Sequence, residues 1–162
     1  MMPLRLIAPA DLNALSRTAR TNPRLRQNLN LHADYAEPCQ RLFNAVEPES
    51  YLRPHRHTDP PKPECFVAVR GRFQLLLFDD EGRVTERVDL SPDGPVVAID
   101  LAAGVWHTII ALESGSIFFE TKPGSYVALT DKDFAPWAPA EGSEETKAYL
   151  ATFREDVRKT PA

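Results

Sequence analysis

From about residue 40 to residue 122 the chain alternates short apolar runs with turn signals. Arg41 to Val46, Tyr51 to His57, Cys65 to Val69 and Phe73 to Phe78 each read as a strand, as do Arg83 to Leu90, Val96 to Leu101, Val105 to Leu112 and Ser116 to Lys122. Glycine and proline punctuate them at Arg70-Gly71-Arg72, Asp79-Asp-Glu-Gly82, Ser91-Pro-Asp-Gly-Pro95, Ala103-Gly104, Glu113-Ser-Gly115 and Pro123-Gly124. Short strands separated by turns roughly every 8–12 residues predict an antiparallel sandwich or small barrel, and a jelly roll is the natural candidate.

The two ends carry a different period. Leu12, Leu15 and Ala19 recur at helical spacing, Asp11 suits a first turn, and Asn22-Pro23 stops the element, so residues 9–22 predict a short helix. Asn28-Leu-Asn-Leu-His32 alternates strictly and predicts a strand, with Leu29 and Leu31 on one face and Asn28, Asn30 and His32 on the other. That polar face is either a solvated edge or one wall of a ligand pocket. After residue 124, Phe134-Ala-Pro-Trp-Ala-Pro139 predicts an irregular cover. A last helix is expected from about Ser143 to Lys159, with Tyr149, Leu150, Phe153 and Val157 as its apolar stripe and Glu155 and Lys159 as an i,i+4 pair. The expected organisation is one domain over residues 1–162. An N-terminal helix and strand fill 1–38, a barrel core 39–124, and a cover with the C-terminal helix 125–162.

Composition narrows the function classes. Hydrophobic residues make up 43% and charged residues 26%, the balance of a folded globular chain. The net charge of −4 comes with no basic patch, which argues against a nucleic-acid partner. No apolar stretch approaches the ~18 residues of a membrane span, and the first residues are too interrupted for a secretory segment. Cys39 and Cys65 lack metal-site or redox spacing and read as reduced thiols of a cytoplasmic protein.

The chemistry concentrates between Glu49 and Gly71. His55 and His57 are two residues apart, so a strand there would point both imidazoles to one face. Imidazole and carboxylate together suit Zn, Fe, Mn or Ni. Glu64 shares a predicted face with Phe66 and Ala68, and Gly104-Val-Trp-His107 places a third histidine just after a turn. By strand parity, Tyr51 and Arg53 accompany the histidine pair, and Val105 and Ile109 accompany His107. Trp106 and Cys65 face the other way.

At these residues the chain resembles the cupin family. His55-x-His57, Glu64 and Gly71 resemble its first motif, and Gly104-x-x-His107 the core of its second. A closer similarity is to WbuC-type cupins, bacterial proteins in places associated with surface-polysaccharide gene clusters. It is carried by Asn28-Leu-Asn-Leu-His32, Gln40-Arg41, Tyr51-Leu-Arg-Pro-His-Arg-His57, Val105-Trp-His107 and Lys132-Asp-Phe-Ala-Pro-Trp-Ala-Pro-Ala-Glu-Gly142. The resemblance implies an all-β jelly-roll barrel in which His55, His57, Glu64 and His107 hold one divalent metal. The proline-rich loop from Thr58 to Pro63 is longer than the family pattern, so Glu64 is the ligand whose placement the fold must decide.

Three functions fit. One is a metal-dependent isomerase, epimerase or lyase acting on a small polar, sugar-like or anionic molecule. There Tyr51 or Glu64 would move a proton, and Arg53, Asn28, Asn30 and His32 would contact substrate. The second is an iron-dependent oxygenase, and the third a non-catalytic metal-anchored binding or sensing module. Cupin-like barrels also suggest a homodimer, joined through the N-terminal strand and helix.

Overall fold

The structure, a computed structural model, describes residues 4–130 and 132–155. Its elements follow in order as α1 (Pro9–Thr21), β1 (Arg26–Asn30), β2 (Cys39–Val46), β3 (Glu64–Arg70), β4 (Phe73–Phe78), β5 (Val84–Leu90), β6 (Ala98–Leu101), β7 (Trp106–Ala111), β8 (Ser116–Pro123) and α2 (Thr146–Glu155). Among the described residues the strands form two antiparallel sheets. One has five strands in the order β1-β2-β8-β3-β6, and the other has three in the order β5-β4-β7. This is the two-sheet, all-β arrangement that the spacing of turns predicts. The predicted β4 range is unchanged, and most other strand ends move by one or two residues. The strand expected at Asn28 to His32 begins two residues earlier and stops at Asn30.

The inner faces of the sheets enclose the main core. Val46, Phe66, Ala68 and Phe118 from the five-stranded sheet meet Phe73, Leu75, Leu90, Ile109 and Ala111 from the other. Alternation then puts Ala45 and Ile117 on the outside of the larger sheet, where Leu15 and Ala19 of α1 cover them. Ala8 gives α1 its extended N-terminal residue, and Asp11 reaches back to the Ala8 backbone N–H at 2.7 Å. On the outside of the smaller sheet, Leu76, Phe78, Trp106 and Ile110 pack under Ala135 and Ala138 of the irregular cover and Leu150 and Phe153 of α2. The C-terminal helix is thus present as expected, with Val157 and Lys159 lying outside the described residues.

One expected strand is corrected. Residues 51–57 do not run as a regular strand; the chain joins the smaller sheet at a single bridge, where His55 exchanges both backbone hydrogen bonds with His107 at 3.0 Å. Pro54, which lacks an N–H donor, precedes that bridge, and alternation fails around it. Leu52 packs into the inner core while Tyr51 packs into the outer one, yet His55 turns inward. The cover then pairs on the far side of the same segment. Ala135 donates its N–H to the Pro54 carbonyl and Arg56 donates to that of Asp133, both at 2.9 Å.

Leu76 is fully buried between the smaller sheet and this cover. Leu76→Ala should lower the unfolding free energy by about 2–5 kcal/mol, read from urea midpoints. A loss under about 1 kcal/mol would mean that the cover does not pack there as described.

Candidate metal centre

His55 and His107 are cross-strand neighbours on the inner face of the smaller sheet, with ring centroids 4.5 Å apart. His57 follows two residues on, its ring 5.2 Å from that of His55 and 6.3 Å from that of His107. Glu64 comes from the opposite sheet, at the first residue of β3, and is 3% exposed. Its side chain spans the gap between the sheets. His57 Nε2 lies 3.3 Å from Glu64 Oε1, and His107 Nε2 lies 3.0 Å from Glu64 Oε2. Ligand atoms of His55, His57 and Glu64 all fall within 4.8 Å of one another. The structure therefore brings together all four residues expected as metal ligands, the uncertain Glu64 included.

The donor chemistry fits a divalent ion. Metal–ligand distances of about 2.0–2.2 Å place neighbouring donors about 3–3.5 Å apart, the spacing found between Glu64 and both His57 and His107. Nδ1 of His55 donates to the Arg53 carbonyl at 3.0 Å, and Nδ1 of His107 to that of Val105 at 2.9 Å. Each bond fixes the tautomer that leaves Nε2 as the free lone pair. Moreover, His57 Nε2 and Glu64 Oε2 are buried without a hydrogen-bond partner. Buried polar atoms that converge but do not pair are the expected state of a ligand set awaiting a cation.

Electrostatics keep these groups in their binding forms. Burial, helped by the neighbouring His107 and His57 and opposed by Glu64, pushes the His55 imidazole down to about 3 from its ordinary 6.5. Burial alone would raise Glu64, but contacts with His107, His57 and Lys122 outweigh it and hold the carboxyl well below its ordinary range. Lys122 Nζ donates to Glu64 Oε1 at 3.0 Å and contacts Glu120 Oε1 at 2.6 Å. Burial lowers that ammonium, yet the two carboxylates hold it above its ordinary value. Asn44 Nδ2 donates to the other Glu120 oxygen at 3.0 Å and completes the network.

A cavity of ≈ 140 Å³ opens beside the cluster. His55, His57, Gln40 and Lys122 line its wall, together with Asp59, Lys62, Asp133 and the 126–129 segment. Sequence reasoning missed Lys122, Gln40, Lys62 and Glu120. A signal existed for two of them: Glu120 and Lys122 share strand parity with the core residue Phe118, which places two charges on the inward face of β8.

Other expected site residues lie elsewhere. Tyr51 is corrected to a packing position: it is buried in the outer core and its hydroxyl donates to the Pro139 carbonyl at 2.8 Å. Burial also pushes that phenol up, away from proton transfer. Arg53 turns to the cover, donating to the Ala135 carbonyl at 3.0 Å with its guanidinium 5.2 Å from the Phe134 ring centroid. Loss of alternation at Pro54 explains both. Asn28 and Asn30 bond to each other at 2.7 Å near the edge of the larger sheet and do not line the cavity. His32 is buried with Nδ1 on the Arg41 backbone, and its ring lies 6.0 Å from that of Tyr35, which in turn lies 4.8 Å from that of Tyr126 beside the cavity, both pairs tilted.

A family model described as a domain of unknown function (DUF6016) matches residues 7–90, just over half of the chain. The chain belongs to that family. No curated protein matches the sequence. Solved structures that resemble it include KdgF from Halomonas sp., at 19% identity and a TM-score of 0.51, covering 65% of this chain and 84% of that one. An oxalate decarboxylase variant from Bacillus subtilis is 17% identical with a TM-score of 0.50, covering 84% of this chain and 35% of that one. The recombinant pro-11S globulin of pumpkin is 13% identical with a TM-score of 0.51, covering 65% and 27%. At such identities the likeness shows the fold alone, and that fold is the cupin jelly roll.

The depressed His55 and Glu64 values carry a pH dependence. Between about 6.5 and 3 the unfolded chain binds a proton at His55 that the folded chain refuses. Stability of the chelator-treated protein is therefore full above that window and falls as pH drops through it. Denaturant midpoints should decline steadily from about pH 7 to pH 4, and less steeply in His55→Gln. A flat profile would contradict the buried neutral imidazole.

Proposed function

We propose that the protein is a divalent-metal-binding cupin that anchors a small polar or anionic molecule in the cavity beside His55, His57, Glu64 and His107. The observation that carries this reading is that His57 Nε2 and Glu64 Oε2 are buried without a hydrogen bond while His57 Nε2 approaches Glu64 Oε1 and His107 Nε2 approaches Glu64 Oε2 across the two sheets. A bound ion would act as a Lewis acid on a ligand oxygen. The chain's own residues do the rest. The Arg53 and Val105 carbonyls orient the imidazoles, Lys122 holds Glu64 ionised, and the proline-rich loop with the 126–129 segment bounds the space.

Isomerisation, epimerisation or lyase chemistry is the enzymatic form of this proposal, and with Tyr51 turned away it needs a proton carrier other than that phenol. Membership of the WbuC type, and with it a place in surface-polysaccharide metabolism, rests on the five shared stretches, of which the Lys132-to-Gly142 segment is the most specific. That segment seals the outer face of the smaller sheet through Ala135 and Ala138 and pins the chain bearing His55. A homodimer would use β1, an edge of the larger sheet. A reducing, cytoplasmic setting suits Cys39 and Cys65, which lie on β2 and β3 with β8 between them, too far apart to bridge.

Metal titration of chelator-treated protein by calorimetry tests the proposal. One saturable site per chain is expected for Zn²⁺, Mn²⁺, Fe²⁺ or Ni²⁺. His107→Ala should weaken it by more than about a hundredfold, beyond the loss expected for an outer-shell partner. Absence of a saturable site in the wild-type protein would sink the reading, and iron in protein purified without added metal would favour the oxygenase.

A further inference from the structure

The geometry points to a small hydroxycarboxylate as the occupant of the cavity, its carboxylate set deep against the Lys122 ammonium and its hydroxyl facing Gln40. This rests on the metal-centre reading above and specifies the ligand class. Size comes first. The ≈ 140 Å³ beside the histidines is close to the roughly 150 Å³ that holds a benzene molecule, so the pocket accommodates about six to eight non-hydrogen atoms.

Charge then selects the class. An ammonium has three donors, and Lys122 spends two of them on Glu64 and Glu120. When Glu64 serves a divalent ion, its charge is shared with that ion, and Glu120 alone is left to match Lys122. Two positive charges from the ion and one from Lys122 then stand against one negative charge each from Glu64 and Glu120. The deep end keeps an excess of positive charge in a site mostly shielded from water, and a ligand carboxylate neutralises it.

The rim is different. There Lys62 donates to the Ser125 carbonyl, Asp133 accepts from the Thr130 backbone and hydroxyl, and Asp59 is exposed, so the mouth holds charges of both signs. The carboxylate end of a ligand is drawn inward rather than held at the mouth. Gln40 is 2% exposed and gives its NH₂ to the Glu37 carbonyl at 3.0 Å, which leaves its amide oxygen as an acceptor for a hydroxyl. A polyol would meet Gln40 but leave the excess positive charge of the deep end unneutralised.

Calorimetry on the Zn²⁺-loaded protein separates the possibilities, with metal binding confirmed first on the same sample. The probes are propanoate, 2-hydroxypropanoate, 3-hydroxypropanoate, 2-hydroxypropanamide and propane-1,2-diol. A hydroxypropanoate should bind tightest, with the amide and the diol weaker by about tenfold or more, the worth of a charge-assisted hydrogen bond. Lys122→Met should erase most of that acid-over-amide preference when the ligands are compared at saturating Zn²⁺, since loss of the Glu64 partner also weakens the metal by about ten- to a hundredfold. Lys122→Gln, which keeps a polar contact to Glu120, serves if the first variant does not fold.

Equal binding of acid and amide by the wild-type protein would overturn the inference and leave the metal centre standing. So would an unchanged preference in the folded Lys122 variant, since the ion's own charge would then be the selector. Failure of Zn²⁺ to bind at all would bring down both readings.

Discussion

The structure depends on one carboxylate placed between two sheets. Glu64 begins β3 with its side chain turned inward, where burying an ionised group is expensive unless it is paired. Three imidazoles and an ammonium surround it. His55, His57 and His107 belong to the smaller sheet and its irregular extension, whereas Lys122 comes from β8 beside Glu64 in the larger one. The sheets must therefore close at this end with a particular offset, and the apolar core behind Phe66 and Ile109 supplies the force that closes them.

Pinning the histidines takes a second layer that no ligand touches. The segment carrying His55 is held by β7 on one side and by the cover around Ala135 on the other. Arg56, alternating outward from the pair, lies 4.0 Å from the Trp106 ring centroid, and the Trp106 indole donates to Asp80 at 2.9 Å. Tyr51, Leu150 and Phe153 pack behind that layer. Residues far along the chain thus set the orientation of the imidazoles, because a short irregular segment containing Pro54 cannot hold them by ladder hydrogen bonds alone.

How much was legible follows from where alternation holds. It holds in β3 and β7, so Glu64 reads correctly with Phe66 and Ala68, and His107 with Ile109, while Trp106 reads correctly as packing. It fails between Leu52 and His55, so the same rule assigns Tyr51 and Arg53 to a site from which both are turned away. Asn28 and Asn30 were misplaced for another reason. Their strand lies at the edge of the larger sheet, three positions from β3, and strand order is not written in a period of two. Lys122 was overlooked because a lysine near the end of a strand usually reaches solvent.

By itself the sequence determined the fold class, the outer helices and the four residues of the candidate centre. Hydrophobic period, turn glycines and donor chemistry are local properties that survive without coordinates. Only the tertiary structure decided that Glu64 spans the proline-rich loop to meet His57 and His107, that Lys122 and Glu120 complete its charge balance, and that Gln40 walls the cavity. Those facts depend on which strands become neighbours and how two sheets close over one another, and that is set by packing between residues far apart in the chain.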